Sequence, residues 1–346
     1  MMGGLPLWAL AGLFVLSAAV IAFAGTRLAH VADALADRTG LGEIVAGALF
    51  VGAATSLPGA VTSVTTALQG QAGIAIGNAL GGLTAQTAFL AVADICYRRA
   101  NLEHAAASPA GLGQGVLLIA LLTLPLLATS EPGWAVRGIH PVSVAIVLGY
   151  LAGLRLLAAI RAEPMWTPVA TPDTRPELSP PNGAPGDSPD SAQDGRALWL
   201  RFGVLAGLTA VAGFVIGEVG TALVERGGLR ASVVGTLFSA VANSLPELVT
   251  AVAAVRIGAV SLAVGDVIGG NAFEVMFLSL ADAVTPGSIY AAFTSTDRST
   301  GQVAILMVTV LMLGMIRRER RGIAGIGFES AMVLGLYALS VVLVLA

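Results

Sequence analysis

The chain has 346 residues, 56% of them hydrophobic and only 11% charged, with a formal net charge of −3. Soluble domains carry about 25% charged residues. This chain therefore cannot clothe a water-facing surface, and a mean hydropathy of +0.85 makes lipid its solvent. The small net charge gives no basis for a nucleic-acid partner. One cysteine, Cys96, excludes an internal disulfide and any cysteine-rich metal centre, and His30, His104 and His140 offer no zinc spacing.

Ten apolar segments follow one another, at 7–29, 41–68, 73–95, 112–129, 138–160, 198–223, 231–255, 259–283, 302–316 and 328–346. Most have the length of a membrane-spanning helix, about 20 residues, rather than the ~10-residue alternation of an outer-membrane strand. The first ends in small residues like a signal peptide but lacks a basic start, so it is read as a retained helix. The ninth is short. Between the fifth and sixth, residues 161–197 hold eight prolines among serine, glycine and acids, which predicts a disordered linker between halves 1–160 and 198–346.

The halves are copies. Residues 47–94 and 235–282 align without a gap at a shift of 188, and 19 of the 48 positions are identical. Ala24-Gly25 recurs as Ala212-Gly213. A segment and its copy five helices later cross the membrane in opposite directions, so the expected fold is an all-α polytopic membrane protein of about ten transmembrane helices in two inverted five-helix repeats. Every one of the 18 basic residues is arginine; with the termini outside, 14 fall in inner loops and 4 in outer loops. The positive-inside rule thus puts both termini outside and the linker in the cytoplasm.

Polar residues sit inside the repeats, where a charge costs about 2.5–3.5 kcal/mol on insertion scales. Glu247 lies mid-segment in the seventh helix, and Asp266 and Glu274 lie in the eighth, with no intramembrane arginine nearby in sequence. Such acids call for a cation. Pro58 and Pro246 break their helices at matching places, and Ser56 and Ser244 stand beside the freed carbonyls. Thr55, Ser56, Asn78, Asn243, Ser244, Glu247 and Asp266 together supply carboxylate, amide, hydroxyl and carbonyl oxygens, the ligands of hard cations. A metal ion would rest on Glu247 and Asp266. Glu274, about 12 Å beyond Asp266 along a helix, is a position for a proton or a second ion. Gly77/Gly81 and Gly265/Gly269 read as packing stripes that bring segment three to two and eight to seven. Asp94 and Asp282 read as interfacial, Glu218 as an entry-path or surface acid, and the Arg317–Arg321 cluster as a topology signal with affinity for anionic lipid.

These residues resemble the two α-repeats of the sodium/calcium exchanger family, which read G-T-S-L-P-E followed by G-N-x-x-G-S-N. Here the copies read Ala54-Thr55-Ser56-Leu57-Pro58-Gly59 with Gly77-Asn78-Ala79-Leu80-Gly81-Gly82-Leu83, and Ala242-Asn243-Ser244-Leu245-Pro246-Glu247 with Gly265-Asp266-Val267-Ile268-Gly269-Gly270-Asn271. The resemblance implies a secondary cation antiporter working by alternating access. Its first and sixth helices would slide as a gate, and Ca²⁺ would exchange for Na⁺ or H⁺ at the bilayer centre. It carries a ligand role to Ser56, Asn78, Ser244, Glu247 and Asp266, and to the Thr55 carbonyl. Among the departures from the pattern, Gly59 replaces the first-repeat glutamate, Asn243 a threonine, and Glu274 an asparagine. Loss of one glutamate leaves two other readings open, a monovalent cation/proton exchanger and a transport-inactive membrane scaffold. No enzyme constellation and no cofactor is indicated. The expected partners are inorganic cations and lipid, and the expected location is the inner membrane of a bacterium.

Overall fold

A computed structural model describes residues 4–39, 53–97, 100–136, 138–174, 191–258, 260–320, 322 and 326–346. In chain order the helices are α1 (Leu7–Thr39), α2 (Leu57–Leu68), α3 (Ala72–Cys96), α4 (Leu102–Ala106), α5 (Pro109–Ala128), α6 (Pro141–Ala162) and α7 (Ser191–Gly227). They continue as α8 (Ala231–Asn243), α9 (Leu245–Ile257), α10 (Val260–Glu274), α11 (Met276–Val284), α12 (Ser295–Arg317) and α13 (Phe328–Leu345). A three-residue turn of helix, Ala53–Thr55, precedes α2, and no strand occurs among the described residues.

Among the described residues eight helical spans are long and apolar enough to cross a bilayer, and α8 with α9 makes a ninth, bent by 43° at Ser244. The chain is a multi-pass membrane protein. The segment expected at 41–68 is described only from residue 53, as the break at Ser56 followed by α2. The short ninth segment expected at 302–316 is in fact a 23-residue helix, α12. Its polar start is fixed by a capping box in which Thr294 and Asp297 satisfy each other's backbone N–H groups. Pro109 and Pro141 each open a helix at its first turn, where the missing N–H is no loss.

The alternation of helices sorts the connections into two ends. At one end Arg226 donates to the Leu5 carbonyl at 2.6 Å, and Arg230 to those of Val344 and Leu345 at 2.8 and 2.6 Å. At the other end the start of the linker is anchored, contrary to the expectation of disorder across 161–197. Arg318 donates to the Val169 carbonyl at 2.7 Å and the Thr174 hydroxyl at 2.9 Å, Arg320 pairs with Asp173, and His104 meets Thr171 at 2.9 Å. Two arginines assigned from sequence to lipid are thus bonded to the linker, while Arg317 stays exposed and Arg321 lies outside the described residues. The later linker, 175–190, lies outside the described residues, and Ser191 onward is the start of α7.

α3 is the central helix. It is buried on nearly every side from Ile74 to Ala88 and packs against α2, α8, α9, α10, α12 and α13. The long helices α1 and α7 lie along one another, α1 crossing α9 and α7 crossing α2. Each therefore covers the broken helix of the opposite half.

Candidate cation site

The two breaks form alike. In each copy a serine, Ser56 or Ser244, leaves helical geometry, and the proline two residues on opens a new helix. Proline removes a donor and blocks the carbonyl one turn earlier, so the chain restarts rather than bends smoothly. The breaks are braced across the halves by a duplicated glycine. A Cβ on Gly25 of α1 would fall 2.5 Å from Cγ of Pro246, and one on Gly213 of α7 would overlap the carbonyl oxygen of Pro58. Gly25 and Gly213 are equivalents at the shift of 188, so each long helix approaches the other half's break where only hydrogen fits. Thr62 shares its hydroxyl proton between the carbonyls of Gly213 (2.8 Å) and Pro58 (2.9 Å), closing the same contact.

The Gly77/Gly81 stripe does not serve the contact expected of it. Cβ atoms on these glycines would meet the backbone of Thr236 at 2.9 and 2.6 Å, so they bring α3 against α8 of the other half rather than against segment two. A π-helical stretch, Val234–Ser239, lies opposite them. Gly265 and Gly269 face Gln114 of α5 at ordinary distances, not segment seven.

Around Pro246 the side chains are acidic. Glu247 and Glu274 are both buried. The charge of Glu247 acts on Glu274, and that of Asp266, half-buried on α10, acts on Glu247. The Thr55 side chain approaches Glu247 from the other half. Gln86 donates to Glu274 at 2.6 Å and to Ser244 Oγ at 3.2 Å. Glu274 therefore belongs with Glu247 and Ser244 instead of a remote position.

Motif reading alone does not single out Gln86. A signal is present all the same: Gln86 is the equivalent of Glu274 at the shift of 188, so their hydrogen bond joins two copies of one position. Asn271 of α10 likewise reaches back to Thr87 of α3 at 3.1 Å.

Around Pro58 the side chains are neutral. Asn78 donates to the Gly59 carbonyl at 3.0 Å and to Ser63 Oγ at 2.9 Å, and accepts from Asn243 at 2.8 Å. Asn243 also donates to Thr62 at 3.1 Å. Asn78 and the Asn243 amide nitrogen are thus engaged in binding α2, α3 and α8 together. Gly59 is not a water-filled gap. A Cβ there would lie 2.8 Å from the ring of Phe277, so an aromatic side chain occupies the direction a glutamate would take.

The unpaired atoms define what the site can do. Ser56 Oγ, Gln86 Oε1, Asn243 Oδ1 and Glu274 Oε2 are buried without a hydrogen-bond donor, and the two buried Glu247 oxygens have only Thr55 and their own backbone N–H beside them. Each such atom costs about 1–3 kcal/mol, more when charged, and all are oxygens. A hard cation satisfies such a set. No three carboxylate, imidazole or thiolate groups are placed to hold a metal among the described residues, so neutral oxygens must complete any coordination.

Asp94 and Asp282, read as interfacial, are matching staples. Asp282 accepts from the backbone N–H of His140 (2.8 Å) and Ile289 (3.0 Å) and from Ser143 Oγ (2.7 Å). Asp94 accepts from the N–H of Leu102 (2.7 Å) and Gly327 (3.4 Å) and from Ser330 Oγ (2.8 Å). Glu218 is bonded to Gln69 at the end of α2.

Inverted halves, helices broken beside buried acids and long helices crossing those breaks define an alternating-access membrane transporter. The profile of the family described as "Sodium/calcium exchanger protein" matches residues 9–158 and again 197–346, and the chain belongs to that family. It is 27% identical over 320 residues to the inner membrane protein YrbG of Escherichia coli (strain K12), covering 91% of each chain. Its fold matches the sodium-calcium exchanger NCX_Mj with a TM-score of 0.60 at 16% identity, over 96% of this chain and 98% of that one. It matches the H⁺/Ca²⁺ exchanger CAX with a TM-score of 0.66 at 12% identity, over 97% and 86% of the two chains.

Proposed function

We propose that the protein is a secondary active antiporter that exchanges Ca²⁺ for Na⁺ or H⁺, with Glu247 and Glu274 as the charged ligands. The observation that carries this reading is the set of buried oxygens without donors, drawn from both breaks and centred on two carboxylates. Two negative charges balance one divalent ion, and Ser56, Gln86 and Asn243 add neutral oxygens toward the six to eight that Ca²⁺ takes. Asp266 contributes field to the same centre, and Asn78 positions the first break rather than ligating. The same carboxylates hold either Ca²⁺ or the counter-ion, and that mutual exclusion couples the two fluxes.

α1 and α7 provide the moving part. Each rests on the opposite half's break through a glycine, so sliding of the pair uncovers the site from one side and covers it from the other. The protein sits in the inner membrane with both termini outside and the linker in the cytoplasm, an orientation that the arginine distribution favours. Radioactive calcium uptake into proteoliposomes tests the proposal. Uptake driven by an outward Na⁺ or H⁺ gradient and lost in Glu247→Gln supports it. Equal uptake with and without either gradient, in wild type and variant alike, rejects it.

A further inference from the structure

A second group of buried acids lies at the linker end, away from the broken helices. Glu103 on α4 and Glu329 in the first turn of α13 are 1% and 0% exposed, and their four carboxyl oxygens find no hydrogen-bond donor on another described residue. Asp94 accepts from Leu102 and Ser330, the chain neighbours of Glu103 and Glu329, and so draws the two carboxyl groups to one place, where each feels the other's charge. Room for Glu329 is made by glycine. A Cβ on Gly314 would lie 2.6 Å from its Cγ, and one on Gly327 would overlap its carboxyl.

Among the described residues no cation neutralises the pair. Asp94 of α3 adds a third negative group, itself held by Leu102, Gly327 and Ser330, and Glu319 after α12 adds a fourth. Arg318 directs its terminal nitrogens to the carbonyls of Val169 and His104 and to Thr174, Arg320 meets Asp173, and Arg317 meets Glu319. The His104 ring lies against the Arg318 carbonyl and Thr171. α10 also packs on α4, but its acids Asp266 and Glu274 act on Glu247 or lie beside it. Two facing carboxylates buried without a donor cannot both stay ionised.

We propose that Glu103 and Glu329 form a proton-binding site distinct from the cation site, in which two carboxyl groups share one proton and thereby tie α4 to α13 at the linker end. A proton fits better than a metal ion, since no three metal-ligating groups converge among the described residues. The other end of the molecule shows what the pair replaces. There Asp282 staples the equivalent loops, and its neighbours are the neutral Tyr290 and Ser143, which bond at 2.9 Å without needing a proton from solvent.

Burial first, then the charges of Asp94 and Glu329, push the Glu103 carboxyl well above the ordinary carboxylate range. The sign follows from linkage. A carboxyl whose folded-state value is raised contributes stability that is fully present below its unfolded value and is lost as pH rises through the folded one.

The test uses the full-length protein in detergent. Melting temperature is followed from about pH 6 to about pH 9 for wild type, Glu103→Gln and Glu329→Gln, with infrared difference spectra at neutral pH. The wild type should lose roughly 3 °C over that range. Each variant should show a smaller loss, because the glutamine amide donates to the remaining carboxylate without a proton. The carbonyl band of a protonated carboxyl should weaken in both variants. Identical pH profiles in all three proteins, or no change in that band, overturn the proposal. Should neither variant purify, a protein carrying Glu247→Gln and Glu274→Gln, which removes the acids of the cation site, decides: a melting temperature that still falls with pH supports the proposal, and one that is flat or rises overturns it.

Discussion

Around Pro58 the polar side chains are neutral and, Ser56 apart, largely bonded to one another; around Pro246 they are acidic and short of donors. The backbone device is the same at both places, a serine, a proline and a glycine from the opposite half. The difference lies in the side chains at equivalent positions: Gly59 against Glu247, Asn78 against Asp266, Gln86 against Glu274. Duplication has kept the hinge and divided the chemistry. The first copy supplies neutral oxygens and shape, the second supplies charge.

The sharpest test of that division is charge removal. Glu247→Gln should weaken calcium binding by about 30-fold or more, the equivalent of some 2 kcal/mol for a lost charged ligand, and Glu274→Gln should act similarly. Asn78→Ala should leave ion binding nearer to wild type and act on folding. Calcium flux and calcium-dependent thermal protection measure both effects. If Asn78→Ala weakens binding as much as Glu247→Gln, the two breaks do not differ in role.

The next test restores the lost acid. Gly59→Glu places a carboxylate against Phe277 and should destabilise by about 3 kcal/mol or more, from overpacking and a buried charge. Phe277→Ala alone leaves a cavity and should cost about 3–5 kcal/mol. Together they should cost less than the sum, because one change makes room for the other. The double variant should also bind calcium more tightly, measured as a larger thermal shift at fixed calcium. Simple additivity would show that Phe277 does not fill the vacated direction.

A smaller effect separates the two cross-braces. Gly213→Ala sets a methyl group against the Pro58 backbone, which cannot swing away, and should cost about 2 kcal/mol. Gly25→Ala meets the ring of Pro246, which can pucker, and should cost less. Melting temperatures rank them, and the reverse order would mean that the brace at Pro246 is the stiffer one.

The architecture is legible in the sequence because membranes allow few solutions. Helix-length apolar runs, a shift of 188 and an odd number of helices per half lead to an inverted repeat without any contact being known. Glu247, Ser56 and Ser244 stand out as candidates in the sequence because lipid penalises a polar residue beside a proline inside an apolar run unless a site repays it. Gln86 is not, since a lone glutamine in a helix is ordinary until its copy is seen to be Glu274. Asn78 groups with the ligands in sequence because a motif records position and not direction, and its amide turns to the Gly59 carbonyl and Ser63. The place of Phe277 against Gly59 joins residues 218 apart in the chain, and no periodicity encodes it. The anchored start of the linker is hidden because proline-rich composition reports missing helix propensity, whereas Arg318 and Arg320 bond to backbone and side-chain oxygens that any extended segment can offer.

The comparison of halves extends to the two staples, where the smallest difference is expected. Asp282→Asn and Asp94→Asn each replace a carboxylate that accepts three hydrogen bonds by an amide with one acceptor oxygen, so some donors are left unpaired at about 1 kcal/mol each. Asp282 holds its donors at 2.7–3.0 Å, whereas the Gly327 N–H lies 3.4 Å from Asp94, the weakest of the six contacts. Asp94 also lies beside Glu103 and raises the cost of charge there, so its neutralisation relieves part of what it removes. Asp282→Asn should therefore lower the melting temperature more than Asp94→Asn, and the gap should widen as pH rises and the relief at Glu103 grows. Equal losses at all pH values would mean that Asp94 and Glu103 do not feel each other, and that the two ends of the molecule differ in sequence but not in electrostatics.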